Sequence, residues 1–229
     1  MKLRKRNILG ILLWIVLIGT SVLWYNRYQY QQDQKTKQVK LETTTQIQKA
    51  YFAWGCFWCV ESGFEKYKQD WVIEVISWYS WGESENPSYE EVWGGWTGHR
   101  EAVEVLYDPS MIAYGDLVQI FWRLINPTDD EWQYVDRGFM YTTAIWYQNE
   151  TEKQIAENTK QELQQSGRYT DPVITPILPY TNFFKAEEYH QDYYIKSPIR
   201  YNAYTNWSGR KSYLDEIWWE DLKYTVQKS

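Results

Sequence analysis

The 229-residue sequence predicts an α+β fold: a two-layer α/β sandwich around a mixed, mainly antiparallel sheet, preceded by a single N-terminal transmembrane helix. Three observations lead there. After residue 48, short stretches with a two-residue apolar alternation interleave with stretches of helical period, the pattern of helices packed on a sheet. The composition is 44% apolar, which at this length fills one core and leaves little for a second, so one globular domain working as a monomer is expected. Finally, the run ILGILLWIVLIGTSVLW at residues 8–24 carries no ionisable side chain.

That run is the first element. Lys2, Arg4, Lys5 and Arg6 precede it, and its seventeen residues are the short end of a membrane span. No small-x-small cleavage site follows in VLWYNRYQ, so residues 1–25 read as an uncleaved anchor rather than a removed signal peptide. The basic start then stays cytoplasmic, and everything after Trp24 lies outside a cytoplasmic membrane to which it is attached. Residues 26–48, rich in Gln, Lys and Thr, read as a solvated polar linker, which leaves 49–229 as the folded domain.

Within that domain, KAYFAW (49–54) is a short strand running into a turn, and VESGFEKYK (60–68) continues as a helix despite Gly63. VIEVISWYS (72–80) is a strand, and Asn86-Pro87 opens a short helix through Tyr89, Glu90 and Glu91. EAVEVLY (101–107) alternates as a strand. LVQIFWRL then places Leu117, Ile120, Phe121 and Leu124 on one helical stripe. TAIWY (143–147) and PVITPIL (172–178) are further strands, separated by a polar helix over 150–166 that Gly167 can end.

Charge and cysteine usage narrow the function. A net charge of −6 gives no concentrated basic surface for nucleic acid. Two cysteines, with His99 and His190 far apart in the chain, cannot close a four-ligand zinc site, and no metal is expected. Both cysteines fall in WGCFWCVE. A strand-to-helix turn puts Cys56 near free backbone N–H groups and the positive end of a helix dipole, which lowers a thiol pKa and favours a nucleophilic thiolate. A small buried hydrophobe is the competing reading of the same residue. In EAVEVLY, Glu101 shares a face with Val103, Val105 and Tyr107, while Glu104 points the other way. A carboxyl on the apolar face is desolvated, so its pKa rises and suits it to give up a proton near neutral pH; a strand-end carboxylate reaching solvent is the alternative.

The ordered blocks GCFWCVE, NPSYEEV, TGHREAVEVLYDP, DRGFMYTTAI and AEEYHQDYY resemble the A-type peptide methionine sulfoxide reductases over about residues 50–210. The resemblance implies reduction of methionine (S)-sulfoxide, in proteins and as the free amino acid, through a cysteine sulfenic acid. It implies Cys56 as the nucleophile and Phe57 and Trp58 as the wall of the pocket for the substrate S-methyl group. Tyr89, Glu101 and Tyr141 become the donors around the sulfoxide oxygen, with Glu101 the acid. Asp136 and His190 hold the substrate backbone or orient the site. No bound cofactor is implied; the partners are oxidised proteins or peptides and an external thiol reductant, thioredoxin-like or another dithiol.

Two departures matter. Many members keep resolving cysteines in a C-terminal tail, whereas SGRKSYLDEIWWEDLKYTVQKS has none, so Cys59 is the internal candidate to resolve Cys56, against an external thiol. Tryptophan also stands where the family has glycine, at Trp54, Trp71, Trp78, Trp81, Trp93, Trp96, Trp132, Trp207 and Trp219, in a chain with 15 Trp and only 12 Gly. The expectation is a gene that uses UGA for glycine. Two rivals stay open: a thioredoxin-like C-x-x-C disulfide oxidoreductase, and a membrane-tethered module using aromatic side chains as binding platforms. A Cys/His hydrolase built on Cys56 and His190 is a more distant one.

Overall fold

The computed structural model describes residues 2–43, 46–67 and 71–226, with side chains from Trp14 onward. It divides into two compact units, Met1–Thr43 and Thr44–Ser229.

The first unit is one helix, α1 (Lys2–Thr43). Among the described residues no helix is long and apolar enough to cross a membrane, which corrects the expected transmembrane helix. Of the apolar run, the side chains before Trp14 lie outside the described residues. From Trp14 to Trp24 the helix rises about 16 Å against the ~30 Å of a hydrocarbon core. It then continues through polar residues, where Gln, Lys and Glu are good helix formers and Gln38 Nε2 donates to Glu42 Oε1 one turn on at 2.7 Å. The stretch read as a tether is therefore helical to Thr43. The single-pass cytoplasmic-membrane placement, with its membrane partner and an extracytoplasmic domain, is overturned with the span that carried it.

The second unit runs β1 (Gln48–Ala53), α2 (Phe57–Glu65), β2 (Val72–Ser80), α3 (Tyr89–Trp93), β3 (Arg100–Tyr107) and α4 (Tyr114–Trp122). A small hairpin, β4 (Trp132–Gln133) and β5 (Asp136–Arg137), precedes β6 (Ala144–Tyr147), α5 (Glu150–Gln165), β7 (Ile177–Pro179) and β8 (Phe183–Lys185). The chain closes on α6 (Tyr193–Lys196), α7 (Pro198–Trp207) and α8 (Arg210–Trp218). The sheet order is β7-β6-β1-β3-β2-β8, antiparallel except for the β6–β7 pair.

Alternation along the strands sorts side chains between two faces. Ala50 and Phe52 of β1, with Val103, Val105 and Tyr107 of β3, enter the main core with Phe64, Leu117 and Phe121 from α2 and α4. Tyr51, Ala53, Ala102 and Trp146 form a smaller cluster on the other face, packed by Leu178 and Phe183. Glu101 has the parity of the main core. Glu104 has the opposite parity, and there Lys49 and Tyr51 donate to its carboxylate at 3.0 and 2.9 Å.

The strand read at 172–178 is confined to its last two residues plus Pro179. Pro172 and Pro176 offer no N–H for a ladder, and Ile174 donates instead to the carbonyl of Pro127 at 2.9 Å. Two left-handed backbone positions fall on tryptophan, Trp81 at φ 71° and Trp219 at φ 44°.

Candidate active site

Gly55 makes the turn between β1 and α2. Its φ is 54°, and a Cβ there would come within 2.8 Å of the Gln133 side chain, so the position needs glycine both for conformation and for space. The turn sets Cys56 as the N-cap of α2, with extended backbone and no side-chain capping bond. The first N–H groups of the helix go instead to two carboxyls from elsewhere in the chain. Phe57 N–H donates to Glu101 Oε2 at 2.9 Å, and Cys56 N–H donates to Asp136. Asp136 also accepts from the Tyr204 hydroxyl.

Burial decides the ionisation of these groups. Glu101 is 2% exposed, and desolvation, with Asp136 and Cys59 nearby, pushes its carboxyl pKa well up against the pull of the Phe57 N–H bond and so favours the protonated acid. Burial pushes Asp136 upward as well, partly offset by Tyr204, Arg210 and the Cys56 N–H. The helix dipole does not make Cys56 the easier thiol to ionise. Burial, then Cys59, Glu101 and Asp136, push it well up, while Cys59, its hydrogen-bonding neighbour, is brought down by that bond and by Arg210 and Tyr201, against burial. Half an elementary charge at a helix end is outweighed by desolvation and by nearby full charges.

The remaining predicted residues close around this pair. Tyr141 and Tyr89 are hydrogen-bonded to each other, and both phenols are raised by burial first and then by their proximity to Glu101 and Cys56. Trp58 lies flat on Tyr193, with ring centroids 3.7 Å apart. Its Nε1–H donates to His190 Nδ1 at 3.0 Å. That bond fixes the imidazole with its proton on Nε2, and burial pulls its pKa down to about 4. The His190 ring in turn packs against Phe57, Tyr89 and Tyr189, with centroids 4.7, 4.6 and 4.1 Å away. Cys56, Cys59, Phe57, Trp58, Tyr89, Glu101, Asp136, Tyr141 and His190 thus meet in one cluster drawn from six parts of the chain.

Sequence reasoning missed the residues that hold this cluster. Glu187 accepts from Tyr79 Oη at 2.7 Å and from Tyr89 N–H at 2.9 Å, tying α3 to β2. Gln191 bonds the backbone N–H and carbonyl of Ser77 and the carbonyl of Ala186, which seats His190 over Phe57. A glutamine beside a candidate histidine was a usable signal. Arg210 and Tyr204 carried none, because α7 and α8 bury few apolar side chains and show no clear apolar period. His99, 1% exposed, accepts from Gly82 N–H through Nδ1 at 3.1 Å and donates from Nε2 to the Ser84 carbonyl at 2.8 Å, which makes it the clasp of the 82–99 loop.

A buried sulfur nucleophile beside a protonated carboxylic acid and two phenols can attack an electrophilic atom while protonating its oxygen. A family model described as peptide methionine sulfoxide reductase matches residues 48–222. Peptide methionine sulfoxide reductase MsrA of Bacillus licheniformis is 46% identical over 169 residues, 74% of this chain and 92% of that protein. Its counterpart in Listeria innocua is 44% identical over 176 residues, 77% and 98% of the two chains. The crystal structure of Mxr1 from Saccharomyces cerevisiae in reduced form matches with a TM-score of 0.63 at 31% identity, over 67% of this chain and 87% of that one. Methionine sulfoxide reductase A of Corynebacterium diphtheriae matches with a TM-score of 0.60 at 28% identity, over 69% and 78%.

Proposed function

The chain belongs to the peptide methionine sulfoxide reductases, and from that premise we propose how its own residues divide the work. The protein is a thiol-dependent oxidoreductase that reduces methionine sulfoxide in proteins to methionine, a repair reaction. The disulfide-oxidoreductase and aromatic-binding-module readings are not favoured.

The observation that carries the assignment is the placement of Glu101: buried, with its carboxyl pKa pushed up by desolvation, and hydrogen-bonded to the N–H of the residue next to Cys56. A sulfoxide oxygen leaves sulfur only with a proton supplied to it. Cys56 sulfur bonds to the substrate sulfur while Glu101 protonates the oxygen and Tyr89 and Tyr141 donate to it. The oxygen ends on Cys56, so that thiol plus sulfoxide gives sulfenic acid plus methionine. Phe57 and Trp58 wall the S-methyl group. Asp136 and His190 orient the first turn of α2 and the Trp58 indole.

Cys59 then condenses with the sulfenic acid. The resulting disulfide passes to an external dithiol of thioredoxin type, because a two-cysteine chain has no third thiol to clear it. The working unit is residues 49–229, as a monomer, and the S epimer at sulfur is the substrate.

The test gives the full-length protein each epimer of a methionine sulfoxide peptide in turn, with a dithiol reductant. Turnover of the S epimer alone, lost in Cys56→Ser, is the expected result. Equal use of both epimers, or activity surviving Cys56→Ser, would overturn the assignment.

A further inference from the structure

Arg210 is the first residue of α8, placed there by Gly209 at φ 73°. It is 8% exposed, and among the described residues its Nε and Nη2 groups have no hydrogen-bond partner. The guanidinium stacks on the Tyr134 ring, 4.6 Å from its centroid. It lies directly beneath the Gly55 turn, where a Cβ on Gly55 would approach Nη2 to 3.2 Å. A buried full charge with two idle donors beside the nucleophile turn calls for an anion at this place.

The groups that feel Arg210 are Cys59, Tyr134, Tyr204 and Asp136. Asp136 is the competing partner, but its carboxyl is already engaged by Tyr204 and by the Cys56 N–H. Cys59 faces Cys56 on its own helix, Tyr201 and Tyr204 on α7, Asp136 on β5 and Glu101 on β3. Hydrogen bonds from Cys56 and Tyr201 and the Arg210 cation favour a negative charge on Cys59 against burial and Asp136, whereas burial, Cys59, Glu101 and Asp136 all oppose one on Cys56.

We propose that Arg210 is a positioning residue of the recycling half-reaction, its guanidinium holding Cys59 as the thiolate that attacks the Cys56 sulfenic acid. This rests on the reading of Cys59 as the resolving thiol. In the step, Cys59 sulfur bonds to Cys56 sulfur, the Cys56 S–O bond breaks, and hydroxide leaves, taking a solvent proton to become water. The two-electron oxidation that Cys56 took over from the sulfoxide is then held as the Cys56–Cys59 disulfide, which the external dithiol reduces.

The experiment gives reduced full-length protein one equivalent of methionine sulfoxide, quenches with acid, and follows the Cys56–Cys59 disulfide and trapped sulfenic acid by mass spectrometry across pH. Arg210→Met is expected to move the pH midpoint of disulfide formation up by about one unit or more, so that the rate at neutral pH falls about ten-fold. Sulfenic acid accumulates in its place, and Arg210→Lys restores the profile. An unchanged midpoint in Arg210→Met, or equal behaviour of the Lys and Met variants, overturns the proposal. Should Arg210→Met fail to fold, thiolate ultraviolet absorbance of the parent protein against Cys59→Ser decides: the difference must titrate below the ordinary thiol range, and a difference seen only above it sinks the idea. A parent protein that forms sulfenic acid and never the disulfide refutes the resolving role of Cys59 itself, a separate result from a missing Arg210 effect.

Discussion

Cys56, the N-cap of α2, and Cys59, one turn further on, are both buried and both free, yet their surroundings differ. Cys56 looks toward Glu101, Asp136, Tyr89 and Tyr141, groups that are acids or phenols and oppose a second negative charge. Cys59 shares Asp136 and Glu101 but also looks toward Arg210 and the Tyr201 hydroxyl, which welcome a negative charge. Local backbone geometry cannot make this distinction, because both sulfurs share the same helix end. It comes from β3 on one side and α8 on the other, so tertiary packing sorts two identical side chains into a proton-rich station and a cationic one.

The sharpest way to break the proton-rich side is Glu101→Gln, which keeps the shape and the bond to Phe57 N–H but has no proton to lose. Methionine formation in a single turnover should slow about 10²-fold or more. Glu104→Gln, on the opposite face with Lys49 and Tyr51, should leave that rate near the parent value while lowering stability. Similar rate losses in the two variants would mean that strand parity does not identify the acid. The other side is broken by Cys59→Ser: one equivalent of methionine forms per protein and turnover with a thioredoxin-type reductant then stalls at the sulfenic acid. Sustained turnover in that variant would show that external thiols reach Cys56 directly.

The proton-rich side was legible in the sequence and the cationic side was not. Alternation along EAVEVLY separated Glu101 from Glu104, because a two-residue period is fixed by the strand itself. The order of motifs brought Tyr89, Asp136, Tyr141 and His190 to the same place. What raises the Cys56 thiol was not legible, since a helix-dipole argument sees only neighbours in sequence, while the desolvation and the carboxyls that oppose it arrive through folding. Arg210 was invisible for the same reason: a lone arginine after Gly209 announces nothing until α8 returns it beneath Gly55. The apolar run at 8–24 misled in the opposite direction, a compositional signal that in α1 continues into a polar helix.

A milder perturbation tests the aromatic wall between the two stations. His190 accepts from Trp58 and is buried neutral, its pKa pulled down to about 4 from an ordinary 6.5. A histidine whose folded pKa is depressed favours the unfolded chain once that chain binds the proton. Its contribution to stability is therefore present above about pH 6.5 and is lost as pH falls toward about 4. Denaturant midpoints measured through that window should decline in the parent protein and decline less in His190→Asn. Buried His99, also depressed by desolvation, keeps part of the slope. Parallel curves for the two proteins would place the acid sensitivity elsewhere.

The smallest effects are expected where neither thiol is touched, at the tryptophans. Trp81, Trp93, Trp96, Trp207 and Trp219 are 40, 63, 86, 75 and 78% exposed, and all five belong to the nine positions read as glycine. Of the six outside the nine, Trp58, Trp122, Trp146 and Trp218 in the second unit are buried or half-buried, while Trp14 and Trp24 on α1 are exposed. Trp219 is the cleanest case, because an indole at φ 44° holds a backbone conformation that glycine adopts at no steric cost. Trp219→Gly should therefore stabilise the fold by ~1 kcal/mol, read as a shifted denaturant midpoint with unchanged slope. Trp81→Gly gains less, since Trp81 also stacks with Phe139 beneath Arg100. Trp54 runs the other way: fully buried between Phe64 and Phe121, its removal from this chain leaves a cavity costing ~3–5 kcal/mol. None of the three should move the pH profile of disulfide formation, and a shift there would mean that the two stations are not electrostatically self-contained. An intact mass of the protein from its own organism counts the indoles directly; a value matching all fifteen tryptophans would end the glycine reading, Trp54 included.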